Sequence, residues 1–389
     1  MSASWESLAN DHILGIAPYE PGKPVEELER QLGIPDAIKL ASNENPLPPS
    51  ERVQKAIIDA LPHLNRYPDD GGFYLREALG RRHRLSADHV ILGNGSNDLI
   101  ELVARAFVRP GDEVVIPHPS FTVYPMIVQA VGGIRVVVTL KDQRLDLEAM
   151  ARATTPMTKM VFIANPNNPT ATIVTGDELE HFMARVPDRA VVVVDEAYFE
   201  FAQGPDFPDT VDYLRQGRKV IVLRTFSKAA SLAGLRVGYG LADPDCVSLL
   251  NRIRTPFNVN ALAQVAALAA IEDEAHILEC LSMIEAGRHY LCDEFTALGV
   301  RYTPSRANFI LVDVGRNALD IYQRLLKNGV IVRPMMSFGM ESALRVSIGT
   351  PEENRRLIKA LRKVLGEGRG DGSRASGDGP RVSGEGKHG

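Results

Sequence analysis

Lys228 sits in the run Arg224-Thr225-Phe226-Ser227-Lys228-Ala229-Ala230-Ser231. A lone lysine is ordinarily a solvated surface charge. A lysine among small and hydroxyl side chains, downstream of an apolar strand that ends in a carboxylate, is a candidate Schiff-base former. The carboxylate is Asp195, which closes the run Val191-Val192-Val193-Val194. A buried, unpaired carboxylate is costly, so a cationic partner is expected for it. A protonated pyridine nitrogen is one such partner, and Tyr198 follows closely enough to reach the same ligand. The plainer alternative is a strand-end acid that caps the next turn. An amine to hold an aldehyde and an acid to hold a ring nitrogen are the two requirements of pyridoxal 5'-phosphate.

Three further segments carry chemistry of the same kind. Asn165-Pro166-Asn167-Asn168-Pro169-Thr170 is stiffened by its prolines, which would fix the Asn168 amide as a donor toward a ring hydroxyl; otherwise it is a structural turn. Gly93-Asn94-Gly95-Ser96-Asn97 joins a strand to a helix, where backbone N–H groups and the helix dipole suit a phosphate. The alternative there is a tight turn with Ser96 as N-cap. Its third glycine position is taken by Asp98, so it is no dinucleotide fingerprint, which disfavours a nicotinamide enzyme. Arg236, within Gly234-Leu235-Arg236-Val237-Gly238, can clamp an anion in bidentate fashion, with Thr225 and Ser227 adding hydroxyls.

The elements that must position these residues alternate along the chain. Apolar runs at 90–92, 114–116, 134–138, 160–164, 190–194, 219–223 and 236–241 read as strands. Most are continuous rather than alternating, as expected for a mainly parallel sheet covered on both faces by helices. A helical pattern starts near Pro48, and a long helical region is expected from Pro256 to about Leu298. Strands at 309–312, 330–332 and 344–348 with a helix at 319–326 indicate a smaller α+β unit. The chain divides into an arm over 1–45, a large domain over 46–270, a small domain over 271–365 and a glycine-rich, disordered tail over 366–389.

The whole chain has 389 residues, 44% hydrophobic and 24% charged, with a net charge of -5. That balance gives no reason to expect nucleic acid or an anionic membrane as partner. Three widely spaced cysteines argue against a disulfide framework and fit a reducing cytoplasm. Neither a secretory signal nor an apolar run of membrane-spanning length is visible, and no metal-ligand spacing occurs.

Taken together, the segments resemble the fold-type I, class II pyridoxal-phosphate aminotransferases, and within them the histidinol-phosphate aminotransferases. The resemblance covers roughly 10–365 and rests on Ser42-Asn43-Glu44-Asn45-Pro46, Arg66-Tyr67-Pro68-Asp69, the segments above, and Leu344-Arg345-Val346-Ser347-Ile348-Gly349-Thr350. It implies a large domain with a seven-stranded sheet plus a smaller α+β domain. It implies that Lys228 binds the cofactor aldehyde and shuttles a proton, and that Asp195 pairs with the pyridine nitrogen. Asn168 and Tyr198 would hydrogen-bond the phenolic oxygen. Gly95, Ser96, Thr225, Ser227 and Arg236 would hold the phosphate with Asn97 beside them, and Phe121 would stack on the ring. Tyr67 would reach the cofactor of a neighbouring subunit in a homodimer. Tyr19, Asn168, Arg333 and Arg345 would meet the substrate. Ala171 stands where the family usually has glycine, and would strain the loop if its φ is positive.

The implied reaction moves the amino group of histidinol phosphate to 2-oxoglutarate in histidine biosynthesis. An aromatic amino acid donor is the same-chemistry alternative, and a decarboxylase acting on an amino-acid phosphate is the alternative in another reaction class. A non-catalytic binding module is disfavoured by the joint presence of Lys228, Asp195, Asn168 and Arg236.

Overall fold

The computed structural model describes residues 4–19 and 22–367. Seven strands form one sheet, in the spatial order Val90–Gly93, Gly238–Leu241, Val220–Thr225, Val191–Asp195, Thr158–Ala164, Glu113–His118, Ile134–Thr139. All neighbours run parallel except Gly238–Leu241, which is antiparallel to both strands beside it.

Side-chain alternation explains why the central strands are apolar throughout. Val161, Ile163, Val192, Val194, Val220 and Val222 pack into a core on one face. Met160, Phe162, Val193, Ile221 and Leu223 pack into a second core on the other. The edge strand Ile134–Thr139 departs from that expectation. It has a single neighbour, and Ile134 and Val137 are each 52% exposed.

A four-stranded antiparallel sheet follows, ordered Arg333–Pro334, Ala343–Ser347, Phe309–Asp313, Arg301–Tyr302. Ile38–Lys39 pairs in parallel with Val330–Ile331, so residues from the start of the chain join those near its end. These elements share a third core that includes Phe295, Phe309, Ile321 and Val346.

Three local readings are corrected. The helical region expected after Pro256 is two helices, Ala261–Ile271 and Glu274–Leu298. Asp273 breaks it, because its side chain accepts from the His276 N–H and starts a new helix. Arg236 is not in a strand: its φ of 57° is left-handed, and the strand begins at Gly238. The C-terminal helix Pro351–Glu367 includes residues 366 and 367 of the expected tail; the remainder of that tail lies outside the described residues. No helix among the described residues is long and apolar enough to cross a membrane, and all three cysteines are free.

Gly238 holds the sheet close to the first turn of the helix Ser96–Phe107. A Cβ there would lie 2.6 Å from the Ser96 nitrogen and 2.9 Å from the Arg224 oxygen, both backbone atoms that cannot rotate away. Gly238→Ala is therefore expected to lower unfolding free energy by about 1–3 kcal/mol, the usual cost of overpacking. Urea unfolding measures this, and an unchanged midpoint would contradict the packing described.

Candidate active site

Parallel strands deliver their C-terminal ends to one edge of the sheet, and clefts form there. Here Ala164, Asp195 and Thr225 end three adjacent strands and line one cavity of about 570 Å³. The loops that follow add Asn168, Tyr198, Ser227 and Lys228 to the same wall. Residues spread over a long stretch of sequence thus converge because of strand order.

Asp195 is 6% exposed. The Tyr124 hydroxyl donates to its Oδ2 at 2.7 Å, and the Ala197 N–H donates to Oδ1 at 3.2 Å. Burial raises the carboxyl to about 6 in spite of these two bonds. Tyr124 stacks on Phe162 with ring centroids 4.6 Å apart. Burial and the nearby Asp195 push its phenol well above the usual range, so it remains a donor.

The Lys228 amine donates to the carbonyls of Asn43 at 3.0 Å and Ser42 at 3.3 Å. Burial, reinforced by the positive charges of Arg345 and Arg236, lowers its pKa to about 7. Asn43 has a left-handed φ of 53°, which asparagine tolerates. Its Nδ2 donates to the Tyr198 hydroxyl at 2.9 Å.

One end of the cavity is a cluster of donors. Gly95, with φ 80°, precedes the helix Ser96–Phe107, and no side chain caps that helix. The N-cap position therefore belongs to Gly95 rather than Ser96. A Cβ on Gly95 would overlap the Arg236 guanidinium, so only glycine lets that cation approach the helix start. Arg236 Nη1 lies 3.2 Å from Ser227 Oγ, and Thr225 Oγ1 lies 2.9 Å from the same hydroxyl. Ser96 and Asn97 complete the lining. Helix N–H groups, two hydroxyls and a guanidinium make a fitting seat for a phosphate.

At the other end Arg345, 8% exposed, donates to Asn168 Oδ1 at 2.6 Å and to the Ala41 carbonyl at 2.7 Å. Its Nε is buried without a hydrogen-bond partner. Since Asn168 accepts from Arg345 through oxygen, its NH₂ is the end available to a ligand. Arg333 and Tyr19 also line the cavity, with the guanidinium 6.0 Å from the tyrosine ring centroid. Phe121 forms part of the wall, edge-on to Tyr124 at 5.7 Å. Tyr67 does not join the cavity of its own chain: it is 81% exposed and stacks on Phe257 at 4.7 Å.

Tyr124 and Asn43 were not identified as site residues from sequence. Asn43 lay inside a segment already singled out, but nothing local showed that its backbone carbonyl meets Lys228. Tyr124 comes three residues after Phe121, and a buried tyrosine needs a partner for its hydroxyl; only the fold names that partner. Ala171 does take a positive φ, 59°, and is fully buried. The strain of roughly 1 kcal/mol that this conformation carries is offset by burial of a methyl group of similar worth, which accounts for alanine at that position.

The donor set fits pyridoxal 5'-phosphate at three points: the phosphate seat, the buried acid and the near-neutral amine. Without the cofactor, both ionisable groups work against folding. The Asp195 pKa is raised, so its stabilising contribution is complete below about pH 4 and lost as pH rises through about 6. The Lys228 pKa is depressed, so its contribution is complete above about pH 10 and lost as pH falls through about 7. Cofactor-free Asp195→Asn is expected to be more stable than the parent at pH 7–8 by on the order of 1–3 kcal/mol, with the difference vanishing toward pH 4. Thermal unfolding of both proteins across that range checks the sign.

Comparison with known proteins supplies independent evidence. The profile described as aminotransferase class I and II matches residues 35–361. Histidinol-phosphate aminotransferase 2 of Pseudomonas fluorescens is 50% identical, over 94% of this chain and 99% of that protein. Histidinol-phosphate aminotransferase of Moorella thermoacetica is 47% identical, over 91% of this chain and 92% of that protein. Among solved structures, histidinol-phosphate aminotransferase from Sinorhizobium meliloti, in complex with pyridoxal-5'-phosphate, superposes with a TM-score of 0.85 at 29% identity. It covers 93% of this chain and 98% of that one. A buried acid, a perturbed lysine and a phosphate seat at the strand ends therefore have a family to belong to: the chain is a member of the class I and II aminotransferases.

Proposed function

We propose that this chain transfers the amino group of histidinol phosphate to 2-oxoglutarate, in histidine biosynthesis, as a cytoplasmic homodimer. The observation that carries the reading is one cavity lined by Asp195, Lys228 and the phosphate seat. The shared name of the relatives at 47–50% identity supports the choice of donor. The two-domain division at about residue 270 draws support from two cores: the buried residues of one end at Ala270, and those of the other come mostly from 280–364, with Leu40, Ala171, Tyr198, Phe201 and Ala229 joining them.

Pyridoxal 5'-phosphate, when bound, supplies an electron sink that stabilises negative charge on the carbon next to the amine. The chain's residues do the rest. Gly95, Ser96, Asn97, Thr225, Ser227 and Arg236 would hold the phosphate. Asp195 would accept from the ring N–H, with Tyr124 fixing the carboxylate's orientation. Asn168 and Tyr198 would face the ring oxygen, and Phe121 the ring face. Lys228 would hold the cofactor's carbonyl carbon and afterwards serve as base and acid. A lysine poised near 7 gives up its own proton readily and can take one from substrate carbon. Tyr67, exposed on its own chain, would reach the cofactor of a second copy.

The substrate end must serve two anions. Histidinol phosphate has a phosphate and no α-carboxylate, whereas glutamate has two carboxylates. Arg345, with a buried unpartnered Nε, and Arg333, near Tyr19, form a cationic surface that accepts either.

Borohydride reduction of the yellow holoenzyme is expected to attach the cofactor to Lys228, and Lys228→Ala to lower turnover by about 10²–10⁴-fold. Mapping the label to another lysine would end the assignment. In steady-state assays with 2-oxoglutarate, kcat/KM for histidinol phosphate should exceed that for phenylalanine and tyrosine by roughly 100-fold, the worth of a buried charged contact. Comparable values for all three would remove histidinol phosphate as the preferred donor.

A further inference from the structure

Directly behind the cavity, on the opposite face of the sheet, lies a buried ion pair that the chemistry above does not use. Alternation along the strands puts it there. Asp195 and Thr225 line the cavity, while their chain neighbours Glu196 and Arg224 turn to the other face. Glu196 is 1% exposed and Arg224 3%. Arg224 donates to Glu196 Oε2 through Nε at 2.8 Å and through Nη2 at 2.7 Å. Thr210 donates to the other carboxylate oxygen at 2.6 Å. The guanidinium carbon lies 3.4 Å from the Phe199 ring centroid. Its Nη1 is 3.4 Å from His83 Nδ1, and His83 Nε2 is 3.0 Å from the Tyr239 hydroxyl. The His83 pKa is pushed down to about 3 by burial and by Arg224, so the ring is neutral and can accept from the arginine.

A pair this deep is a poor source of stability, because desolvation consumes most of the Coulombic gain and apolar residues of like size would serve as well. Its position is more informative. Glu196 directly follows the strand Val191–Asp195, and Arg224 is the next-to-last residue of its parallel neighbour Val220–Thr225; the Glu196 N–H extends the pairing by donating to the Leu223 carbonyl at 2.8 Å. A slip of either strand by one residue would turn a charged side chain into the cavity and its functional neighbour out of it. The pair, held by Thr210, Phe199 and His83, prevents that slip at the place where it would do most harm.

We propose that the Glu196–Arg224 ion pair is a positioning device that sets, from behind the sheet, the placement of Asp195 relative to Thr225 and the phosphate seat. Neither residue touches the cofactor or substrate. The proposal rests on the reading of the cavity as a pyridoxal-phosphate site. It assigns the pair a role in the geometry of that site, distinct from its effect on folding.

The test uses Arg224→Lys, which keeps the charge but loses the planar fork, the double variant Glu196→Gln/Arg224→Met, which removes both charges together, and Val192→Ala as a control. Val192 is buried on the strand that leads into Glu196, on the same face and four residues before it. Thermal unfolding, pyridoxal-phosphate affinity of the cofactor-free protein, the visible absorption band of the holoenzyme, and kcat and KM are measured for each. Both pair variants are expected to bind the cofactor at least about ten-fold more weakly, to displace the absorption band, and to lose at least about ten-fold in kcat with KM for histidinol phosphate little changed, as for misplaced catalytic groups. Val192→Ala is expected to lose thermal stability with affinity, band position and kcat intact. A folded pair variant with cofactor affinity and kcat within about two-fold of the parent overturns the proposal, as does a Val192→Ala protein with the same losses. If Arg224→Lys does not fold, the charge-free double variant decides. Failure of the site reading itself is separately visible, as a parent protein that binds no pyridoxal phosphate or carries the borohydride label elsewhere.

Discussion

A carboxylate buried at the end of a central strand is the constraint around which this protein is arranged. Removing an ionised group from water costs several kcal/mol even after the surroundings relax. Two hydrogen bonds, from Tyr124 and the Ala197 N–H, recover only part of that cost for Asp195, which is why its pKa stays near 6. Lys228 has the mirror problem, an ammonium short of solvent and close to two arginines. A cofactor with a basic ring nitrogen and an aldehyde answers both at once, since the nitrogen gives the acid its cation and the aldehyde engages the amine as a neutral nucleophile.

The surrounding structure makes that arrangement tolerable. The valine run before Asp195 is buried on both faces, and the sheet is tightly packed where the acid emerges. Three of the nine non-glycine residues with left-handed φ among the described residues belong to the same region. Asn43, Ala171 and Arg236 all adopt left-handed φ values without being glycine. Residues in such conformations cluster where surrounding packing holds them, and functional sites are the usual location. Asn43 turns a carbonyl toward Lys228, Arg236 turns a guanidinium toward the helix start, and Ala171 lets the loop after Asn168 double back.

Charge is distributed on both sides of the sheet at its catalytic edge. On the cavity face, Asp195, Lys228, Arg236 and Arg345 are incompletely matched among themselves and so open to ligands. On the far face, Glu196 and Arg224 are fully matched, with Thr210, Phe199 and His83 closing the network. The first set has the incomplete pairing of a binding site, and the second has the completeness of a structural fastening.

Much of this was legible in the amino-acid order. Continuous apolar runs announce two-sided strands, and the polar residues at their ends announce a cleft, because both signals are local and follow from alternation. Lys228, Asp195, Asn168, Arg236 and the Gly95 turn could be named for the same reason: each sits in a short segment whose residue types limit its chemistry. Other features arise from contacts between distant parts of the chain. The hydroxyl of Tyr124 reaching Asp195, the carbonyl of Asn43 reaching Lys228, the break at Asp273 in an otherwise helical stretch, and the half-exposed edge strand at Ile134–Thr139 depend on strand order and packing. The sequence by itself located the strands of the large sheet, the loops that would carry chemistry and the cofactor that would suit them. Only the tertiary structure decided which side chains meet, because a hydrogen bond between residues far apart in the chain is specified by the distance that folding closes.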